Sequence, residues 1–377
     1  RVENPGPRQA VIRLVALLAA LALAACAPRP LEPRFIAKGL PEDLADWGMV
    51  GVRDGRLVLA DGAQPYELNT PLFTDYAGKL RTLWMPKGQT ATWSDDETFD
   101  FPVGTVLTKT FFYRTAADGA VAPGDGLKLS ETGEGLDLAR VRLVDARILV
   151  RRAEGWVALP YVWDEDQRTA TLKRTGQPVA MTLVRAGRSD RFTYQVPNVN
   201  QCAGCHGTNH STKALQPIGL KARHLDRDVA VGGQGFNQLA RLEAIGYLRG
   251  LPARRPGGVD WLDERAPLDA RARAWLDINC AHCHSPTGPA DTSGLYLTLA
   301  AAGPQLGLCK PPIAAGQGTG GFRYGIHPGK PDESILVYRT ASLDPGAMMP
   351  ELGRALAQDE AVALLRRWVA EMPGGCG

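Results

Sequence analysis

Residues 268–284 read LDARARAWLDINCAHCH, a helical pattern that runs directly into a C-x-x-C-H motif. Cys280 and Cys283 lie about one helical turn apart, and His284 follows at once. This spacing is typical of covalent haem attachment, because two thiols so placed reach the two vinyl groups of one porphyrin and the adjacent imidazole reaches the iron. The stretch therefore predicts a c-type haem bound by the two cysteines, with His284 as a ligand of the iron.

The same motif occurs upstream, where Cys202 and Cys205 are followed by His206. Two alternatives also use paired cysteines. A four-cysteine zinc site usually holds its pairs about 15–20 residues apart, and a thioredoxin-like redox pair needs a βαβ setting. The two motifs here are much farther apart, and neither alternative explains a histidine after each pair. We therefore expect two c-type haems, and so two iron atoms, per chain.

The downstream motif has well-defined surroundings. Met348, Met349 and Pro350 lie on a loop between it and a second helical pattern at 358–372. The order of helix, motif, Met-Pro and helix resembles a class I cytochrome c domain, so we expect an all-α cytochrome c-like domain over 263–377. In such domains the methionine before proline is the usual distal ligand, which favours Met349 over Met348. A thioether ligand stabilises ferrous iron and raises the reduction potential; the alternative is that both methionines belong to the core.

The distal ligand of the upstream haem is less constrained. No methionine lies between His206 and Met348. His210 follows the motif too closely to reach the opposite haem face, whereas His224 is far enough along the chain to loop round. His224 is thus a candidate metal ligand; the alternatives are that it is a surface histidine, or that the iron is open or binds water. Two histidine ligands would lower the potential relative to His/Met ligation, whereas an open iron could bind peroxide or another small ligand.

The region upstream of both motifs reads as β-structure. Residues 105–113, 141–150 and 156–163 are rich in Val, Leu, Thr and aromatic residues, and glycine-containing turn signals separate the runs. Short strands at this spacing predict a sandwich or barrel-like unit. The expected fold is α+β and multidomain: a β-rich domain over 35–198, a first haem-binding segment over 199–262, and then the cytochrome c-like domain.

Residues 1–25 read as a bacterial lipoprotein signal peptide. Arg8 and Arg13 precede an apolar run that is too short to span a bilayer and that ends in Leu-Ala-Ala before Cys26. That ending resembles a lipobox, so we expect lipidation of Cys26 and a short tether over 26–34; the alternative is an ordinary secretory signal. The expected location is the periplasmic side of the cell envelope, with the chain anchored to the membrane through lipid.

Cysteine use and charge add two expectations. Export to an oxidising compartment favours disulfides, and Cys309 and Cys376 are the cysteines left over after the two motifs and Cys26. We expect one disulfide between them; two free buried thiols are the alternative. The formal net charge is only +3, and no Lys/Arg block or aromatic-interleaved basic patch occurs, so nucleic acid is not an expected partner.

Four further strings carry a family resemblance: YELNTPLFTD at 66–75, FPVGTVLTKTF at 101–111, YVWDEDQ at 161–167 and PIGLKARHLD at 217–226. Together with both motifs, they resemble a family of exported bacterial dihaem c-type cytochromes whose physiological role is unassigned. The resemblance covers nearly the whole chain after the export signal. It implies haem binding and electron transfer through the cysteines and histidines of the two motifs, and little else.

These expectations leave three functional hypotheses. The leading one is a membrane-tethered electron carrier that exchanges electrons with a redox partner protein. The second is a haem enzyme, a peroxidase or a dehydrogenase subunit, in which the β-rich domain binds substrate beside an open upstream haem; no acid–base constellation typical of peroxide cleavage accompanies it. The third is a binding module, in which the β-rich domain docks the cytochrome onto a partner enzyme.

Overall fold

The computed structural model describes residues 31–133, 135–208, 211–255, 257–313 and 315–377. The expected export signal, the lipidation site Cys26 and most of the expected tether lie outside these ranges. Among the described residues, no helix is both long enough and apolar enough to cross a membrane.

Strands make up most of the regular structure before the upstream motif, and three further short strands follow it. They are β1 (Val50–Arg53), β2 (Arg56–Leu59), β3 (Gln64–Pro65), β4 (Gly78–Trp84), β5 (Ala91–Thr92), β6 (Val106–Thr115), β7 (Val121–Ala122), β8 (Leu136–Asp137), β9 (Val141–Arg152), β10 (Gly155–Trp163), β11 (Ala170–Leu172), β12 (Gln177–Arg185), β13 (Arg188–Val196), β14 (Asp228–Val231), β15 (Gln234–Asn237) and β16 (Leu248–Arg249).

Helices become prominent from the upstream motif onward. The α-helices are α1 (Leu129–Thr132), α2 (Val199–His206), α3 (Ala222–Leu225), α4 (Gln238–Ala244), α5 (Leu268–Asn279), α6 (Ile335–Ala341) and α7 (Asp359–Ala370). Short 3-10 turns lie at Leu44–Trp47, Ala117–Gly119, Asp291–Ser293, Gly303–Leu306, Gly316–Thr319 and Pro331–Glu333.

One large sheet forms the frame of the molecule. Its strand order is β11-β10-β9-β6-β7-β12-β13, with β4 paired to β6 and β3 paired to β4, and it curls into a half-barrel. The β-branched and aromatic residues of β6, β9 and β10 favour extended backbone, and these strands pair in antiparallel fashion. Strand residues make up 28% of the chain and helical residues 22%, so the expected β-rich fold with additional helices is confirmed.

Successive residues of these strands point to opposite faces of the sheet. On one face, Val106 and Ile148 pack into a core with Trp47. On the other face, Leu107 and Leu149 pack into a core that includes Cys202. The upstream motif therefore lies directly on this second face.

The segment after the upstream motif is also packed against the β-rich part. β16 pairs in parallel with β5, with Leu248 opposite Ala91. The side-chain amide of Asn69 donates to the carbonyl oxygens of Arg223 and Asp226, at 2.9 and 3.1 Å. These contacts fix the position of residues 199–262 relative to the sheet.

The C-terminal part is built from α5, α6, α7 and 3-10 turns. Helices α5 and α7 contact each other, and two indole groups hold them together. Trp368 Nε1 donates to Asp269 Oδ1 at 2.8 Å, and Trp275 Nε1 donates to Gln358 Oε1 at 2.8 Å. The helix that carries the downstream motif is thereby fixed against the last helix of the chain.

Candidate functional site

The two C-x-x-C-H motifs, distant in sequence, meet in the structure. Cys283 Sγ donates to the carbonyl oxygen of Gly204 at 3.1 Å. The Cys205 thiol lies within hydrogen-bonding distance of the side chains of Cys283 and His282. The cysteines and histidines of both motifs therefore form one continuous site between the sheet and the C-terminal helices.

Helix α2 places the upstream motif. Asn198 accepts hydrogen bonds from the backbone of Asn200 and Gln201, at 3.0 and 2.9 Å. The Gln201 side chain in turn accepts from the Asn198 backbone N–H at 2.9 Å, which completes a capping box. A helix can therefore begin with only two residues between it and the end of strand β13, and Cys202 in its first turn packs against the sheet.

The imidazole of His206 is oriented as an iron ligand would be. Its Nδ1 donates to the carbonyl oxygen of Gln216 at 2.8 Å, which leaves Nε2 with a free lone pair. Burial lowers the pKa of His206 to about 4, and the nearby Lys109 ammonium adds to this effect. The ring is therefore neutral near pH 7, the form that binds metals.

His284 has the same arrangement in the downstream motif. The Ser293 hydroxyl donates to the carbonyl oxygen of Ala290 at 2.7 Å, so its oxygen can accept from Nδ1 of His284, 3.3 Å away. Nε2 of His284 is then left with its lone pair. Burial lowers the pKa of His284 to about 4, and this ring too is neutral near pH 7.

A cavity of about 320 Å³ adjoins the downstream motif. Cys280, Cys283 and His284 line it, and Met349 and Pro350 contribute from the loop before α7. The remaining wall is largely apolar, with Leu295, Leu297, Ile326, Ile335 and Leu336. The structure thus brings Met349, and not Met348, to the cavity that the downstream motif lines.

A second cavity, of about 120 Å³, adjoins the upstream motif. Cys202, Cys205 and His206 line it, and the large sheet contributes Lys79, Lys109, Phe111 and Arg147 to the same lining. Met349 and His282 line both cavities, so the two spaces share a boundary.

His282 was not expected to matter, because it occupies a variable position of the motif. Its Nδ1 is buried and has no hydrogen-bond partner among the described residues. Interactions with the side chains of Cys283 and His282 lower the pKa of the Cys205 thiol, whereas burial raises the pKa of Cys280 to about 12. Cys205 is therefore the more acidic of these two thiols.

The donor groups fit two c-type haems. The four motif cysteines are free thiols, each pair lies beside a neutral imidazole whose Nε2 is available, and a thioether lies in the larger cavity. Ligand cavities typically measure about 300–1,000 Å³; the larger cavity reaches this range, and the smaller one, at about 120 Å³, lies below it. The fit at the upstream motif therefore rests on its donor groups. No group of three or more His, Cys, Asp or Glu side chains in the described ranges is arranged to hold a metal ion by itself.

His224 lies elsewhere, and here the structure departs from our expectation. Its side chain is buried but lines neither cavity, and its Nε2 lies 3.1 Å from Asp277 Oδ2. Arg223 binds the same carboxylate through Nε and a terminal nitrogen, at 2.8 and 3.1 Å. Burial of Asp277 opposes ionisation, but these two partners outweigh it and hold the pKa of Asp277 below its usual range. His224 is therefore part of a buried ion-pair network and is not brought to the upstream motif.

Cys309 and Cys376 are joined by a disulfide in the structure, with 5.3 Å between their Cα atoms. The bond ties the end of the chain to the loop after the 3-10 turn Gly303–Leu306. It lies outside both cavities, so its role is in the framework around the downstream motif.

Three cations lie in register across the sheet, a feature that the sequence alone did not indicate. Lys109 in β6 is paired with Arg81 in β4 on one side and with Arg147 in β9 on the other. Lys79 lies two residues from Arg81 on the same face. Burial lowers the pKa of Lys109 to about 7, and repulsion from Arg81 and Arg147 adds to this effect.

Comparisons with protein families, with curated proteins and with solved structures found no match to this chain.

Proposed function

We propose that this protein is a dihaem c-type cytochrome that carries electrons through two covalently attached haems. One observation carries the proposal: two C-x-x-C-H motifs that are far apart in sequence lie in contact, with Cys283 Sγ 3.1 Å from the Gly204 carbonyl oxygen. Cysteines with separate structural roles would not be expected to bring two complete C-x-x-C-H motifs into contact. Two haem attachment points in contact would hold the two haems close together, an arrangement that favours electron exchange between them.

Each motif residue has a definite role in this proposal. Cys202 and Cys205 would form the thioether bonds of the upstream haem, and His206 would bind its iron through Nε2. Cys280, Cys283 and His284 would do the same for the downstream haem, with Met349 on the opposite side of that iron. The bound haems supply one-electron redox chemistry; the protein holds them, excludes water and sets their potentials.

The C-terminal part supports a finer proposal about fold. Helix α5 leads into the downstream motif, Met349 follows on a loop, and α7 crosses back to contact α5. We take residues 263–377 to be a class I cytochrome c-like domain on this order of elements. The disulfide between Cys309 and Cys376 would brace its loops.

Location and partners follow from the expected export signal. The haems of c-type cytochromes are attached outside the cytoplasm, and lipidation of Cys26 would hold the chain at the periplasmic side of the envelope. A redox partner protein would then exchange electrons with the downstream haem, whose cavity is the larger of the two.

Serine variants of each motif test the proposal. Holoprotein made in a host that matures c-type haems should carry two covalent haems by pyridine haemochrome assay. C202S/C205S and C280S/C283S should each retain one, and the matched control C309S/C376S should retain two. Covalent haem in neither motif, or equal haem content in all four proteins, would overturn the proposal.

A second candidate function is a haem enzyme with an open upstream iron. It is favoured by one observation: the carboxylate of Asp277 holds His224 away from the smaller cavity, which leaves the upstream iron without that ligand. Electron paramagnetic resonance of the oxidised protein separates the two candidates. Two low-spin haems support the electron carrier, and one high-spin haem supports the enzyme.

A further inference from the structure

We propose that the large sheet binds the carboxylates of the upstream haem through Lys79, Lys109 and Arg147. The inference rests on the proposed function and deepens it, because it gives the β-rich domain a role: the sheet is one wall of a haem site and supplies the counter-charges for the two propionate groups.

The cross-strand register brings cationic side chains next to one another, an arrangement that an anion would stabilise. Arg81, Lys109 and Arg147 occupy directly paired positions on three neighbouring strands. Like charges directly opposite one another destabilise a sheet. A row of three cations is therefore unfavourable unless negative charge lies against it.

The acidic groups nearby do not balance the row. Asp145 Oδ2 pairs with Arg147 Nε at 2.7 Å, while its other oxygen accepts from the Tyr194 hydroxyl at 2.8 Å. Asp125 attracts Lys79, yet within the described ranges the Lys79 ammonium donates only to the backbone oxygen of Ala77, at 3.1 Å.

The other two cations are less well paired. Lys109 has no hydrogen bond to any described residue. Arg81 Nε is buried without a partner in the described part of the chain, and Glu67, the acid that acts on Arg81, is already paired with Arg227 at 3.2 Å. Positive charge on this face therefore exceeds the negative charge that the chain provides.

The position of the row identifies the missing anion. Lys79, Lys109 and Arg147 line the same cavity as Cys202, Cys205 and His206. A haem attached to those cysteines carries two propionates, and these three cations line the cavity that such a haem would enter. Charge-assisted hydrogen bonds from Lys and Arg to carboxylates are about twice as strong as neutral ones. The depressed pKa of Lys109 is in keeping with a cation that lacks its counter-ion.

The same cations could instead hold a free anionic molecule such as phosphate. The chemistry of recognition is shared, so the experiment must separate a tethered carboxylate from a diffusible anion. The reduction potential of the upstream haem does so. Removing a cation from beside a propionate leaves negative charge near the iron, which stabilises the ferric state and lowers the potential.

The test compares K109Q, K109R and the control K87Q in the holoprotein, by spectroelectrochemical titration. Lys87 is exposed on the loop after β4 and lines neither cavity. K109Q should shift the ferric/ferrous equilibrium of the upstream haem by about tenfold, which is about 59 mV for a one-electron couple. The potential of the downstream haem, identified as the one that changes in M349A, should be the same in K109Q as in the wild type. K109R should restore the wild-type potential of the upstream haem. K87Q should have the wild-type potentials for both haems.

Other outcomes overturn one idea or both. If K109Q does not fold, K79Q replaces it, because Lys79 lines the same cavity. The potential of the upstream haem should again fall. A K109Q protein with two haems and unchanged potentials overturns this inference alone. A wild-type upstream potential that responds to added phosphate, with the response lost in K109Q, also overturns it, because the row then holds a free anion. A wild-type chain without covalent haem overturns the proposed function and this inference together.

Discussion

His206 and His284 share a hydrogen-bonding pattern that prepares both rings for metal binding. In each, Nδ1 donates, to the Gln216 carbonyl or to the Ser293 hydroxyl, and Nε2 keeps its lone pair. A partner on the second ring nitrogen fixes the tautomer and makes the ligand more basic. Both imidazole rings are thus held in the neutral form, with Nε2 available to a metal ion.

Replacing His224 separates a structural histidine from a ligand. In H224Q the carboxylate of Asp277 loses one of its two buried partners, so we expect a loss of about 1–3 kcal/mol in the free energy of unfolding. The visible and paramagnetic resonance spectra of the upstream haem should stay unchanged. D277N, which disrupts the same network from the other side, should behave in the same way. Loss of a low-spin signal in H224Q alone would mean that His224 binds the iron after all.

Met349 and Met348 offer a matched pair of variants. Met349 lines both cavities and Met348 lines neither. We expect M349A to lose the near-infrared sulfur-to-iron charge-transfer band and to lower the potential of the downstream haem, because a thioether ligand raises it. M348A should keep both properties. The reverse result would assign the ligand to Met348.

Candidate ligands could be named from the sequence at this scale, because the motif is local in sequence. The hydrogen-bonding partners of these side chains could not be predicted. Gln216 reaches His206 only through the course of the intervening chain, and His224 was a plausible ligand until its position beside Asp277 was known. Burial and pairing of a single histidine depend on contacts that no local pattern contains.

At the scale of elements, residues 66–75 connect the β-rich part to the segments that carry the two C-x-x-C-H motifs. Asn69 binds the segment around α3, and the Phe73 backbone N–H donates to Asn279 Oδ1 at 2.8 Å, directly before the downstream motif. Asp75 Oδ1 accepts from the backbone of Ala355 and Leu356 at 2.8 and 2.7 Å. This segment therefore sets the position of the motifs relative to the sheet.

Asp75 should make stability depend on pH. Burial raises its pKa to about 6, against the opposing effect of its two backbone donors and of Arg354. The folded protein therefore holds this proton more tightly than the unfolded chain does. Its contribution favours the folded state below about pH 4 and is lost as the pH rises through about 6, by up to about 3 kcal/mol.

The variant D75N isolates that contribution. Asparagine tolerates the left-handed backbone of this position, where φ is 46°, and it carries no proton that can dissociate. Urea unfolding across this pH range should show wild-type stability falling relative to D75N as the pH rises. A difference that is constant with pH, or that grows in the opposite direction, would show that the carboxyl is not held protonated.

The positions of the strands could be predicted from composition, whereas the pairing between strands could not. The expected runs 105–113, 141–150 and 156–163 correspond to β6, β9 and β10 within two residues at each end. The register that lines up Lys109 with Arg81 and Arg147 could not be predicted, since it depends on which strands become neighbours. For the same reason, the cations that line the smaller cavity could not be predicted from the sequence.

At the scale of the whole molecule, the two C-x-x-C-H motifs lie at a junction between the sheet and the C-terminal helices. Neither motif is complete as a site without the other part of the chain, because the sheet lines the upstream cavity and the Met349 loop borders both. The disulfide between Cys309 and Cys376 closes a long loop beside the downstream cavity, and its two cysteines are separated by 67 residues in sequence.

Opening that disulfide should destabilise the C-terminal part. The entropy of a loop of this length corresponds to about 4 kcal/mol, so C376S should lower the free energy of unfolding by up to that amount. Tryptophan fluorescence during urea unfolding measures it, because Trp275 and Trp368 lie in this core. The double variant C309S/C376S should match C376S. A double variant as stable as the wild type would show that the bond contributes nothing.

Contact between the motifs lay beyond the sequence analysis altogether. Two haems could be expected from two motifs, but the hydrogen bond between Cys283 and Gly204 joins residues that only the complete fold brings together. Long-range geometry of this kind follows from the packing of whole elements, here α2 on the sheet and α5 against α7.

Intact-mass spectrometry of the protein, purified from a host that matures c-type haems, tests the central claim most directly. Peptide mapping then assigns each added mass. We expect each chain to gain the mass of two haems, one on the peptide that contains residues 202–206 and one on the peptide that contains residues 280–284. A chain at its unmodified mass, with both cysteine pairs free, would contradict the proposed function.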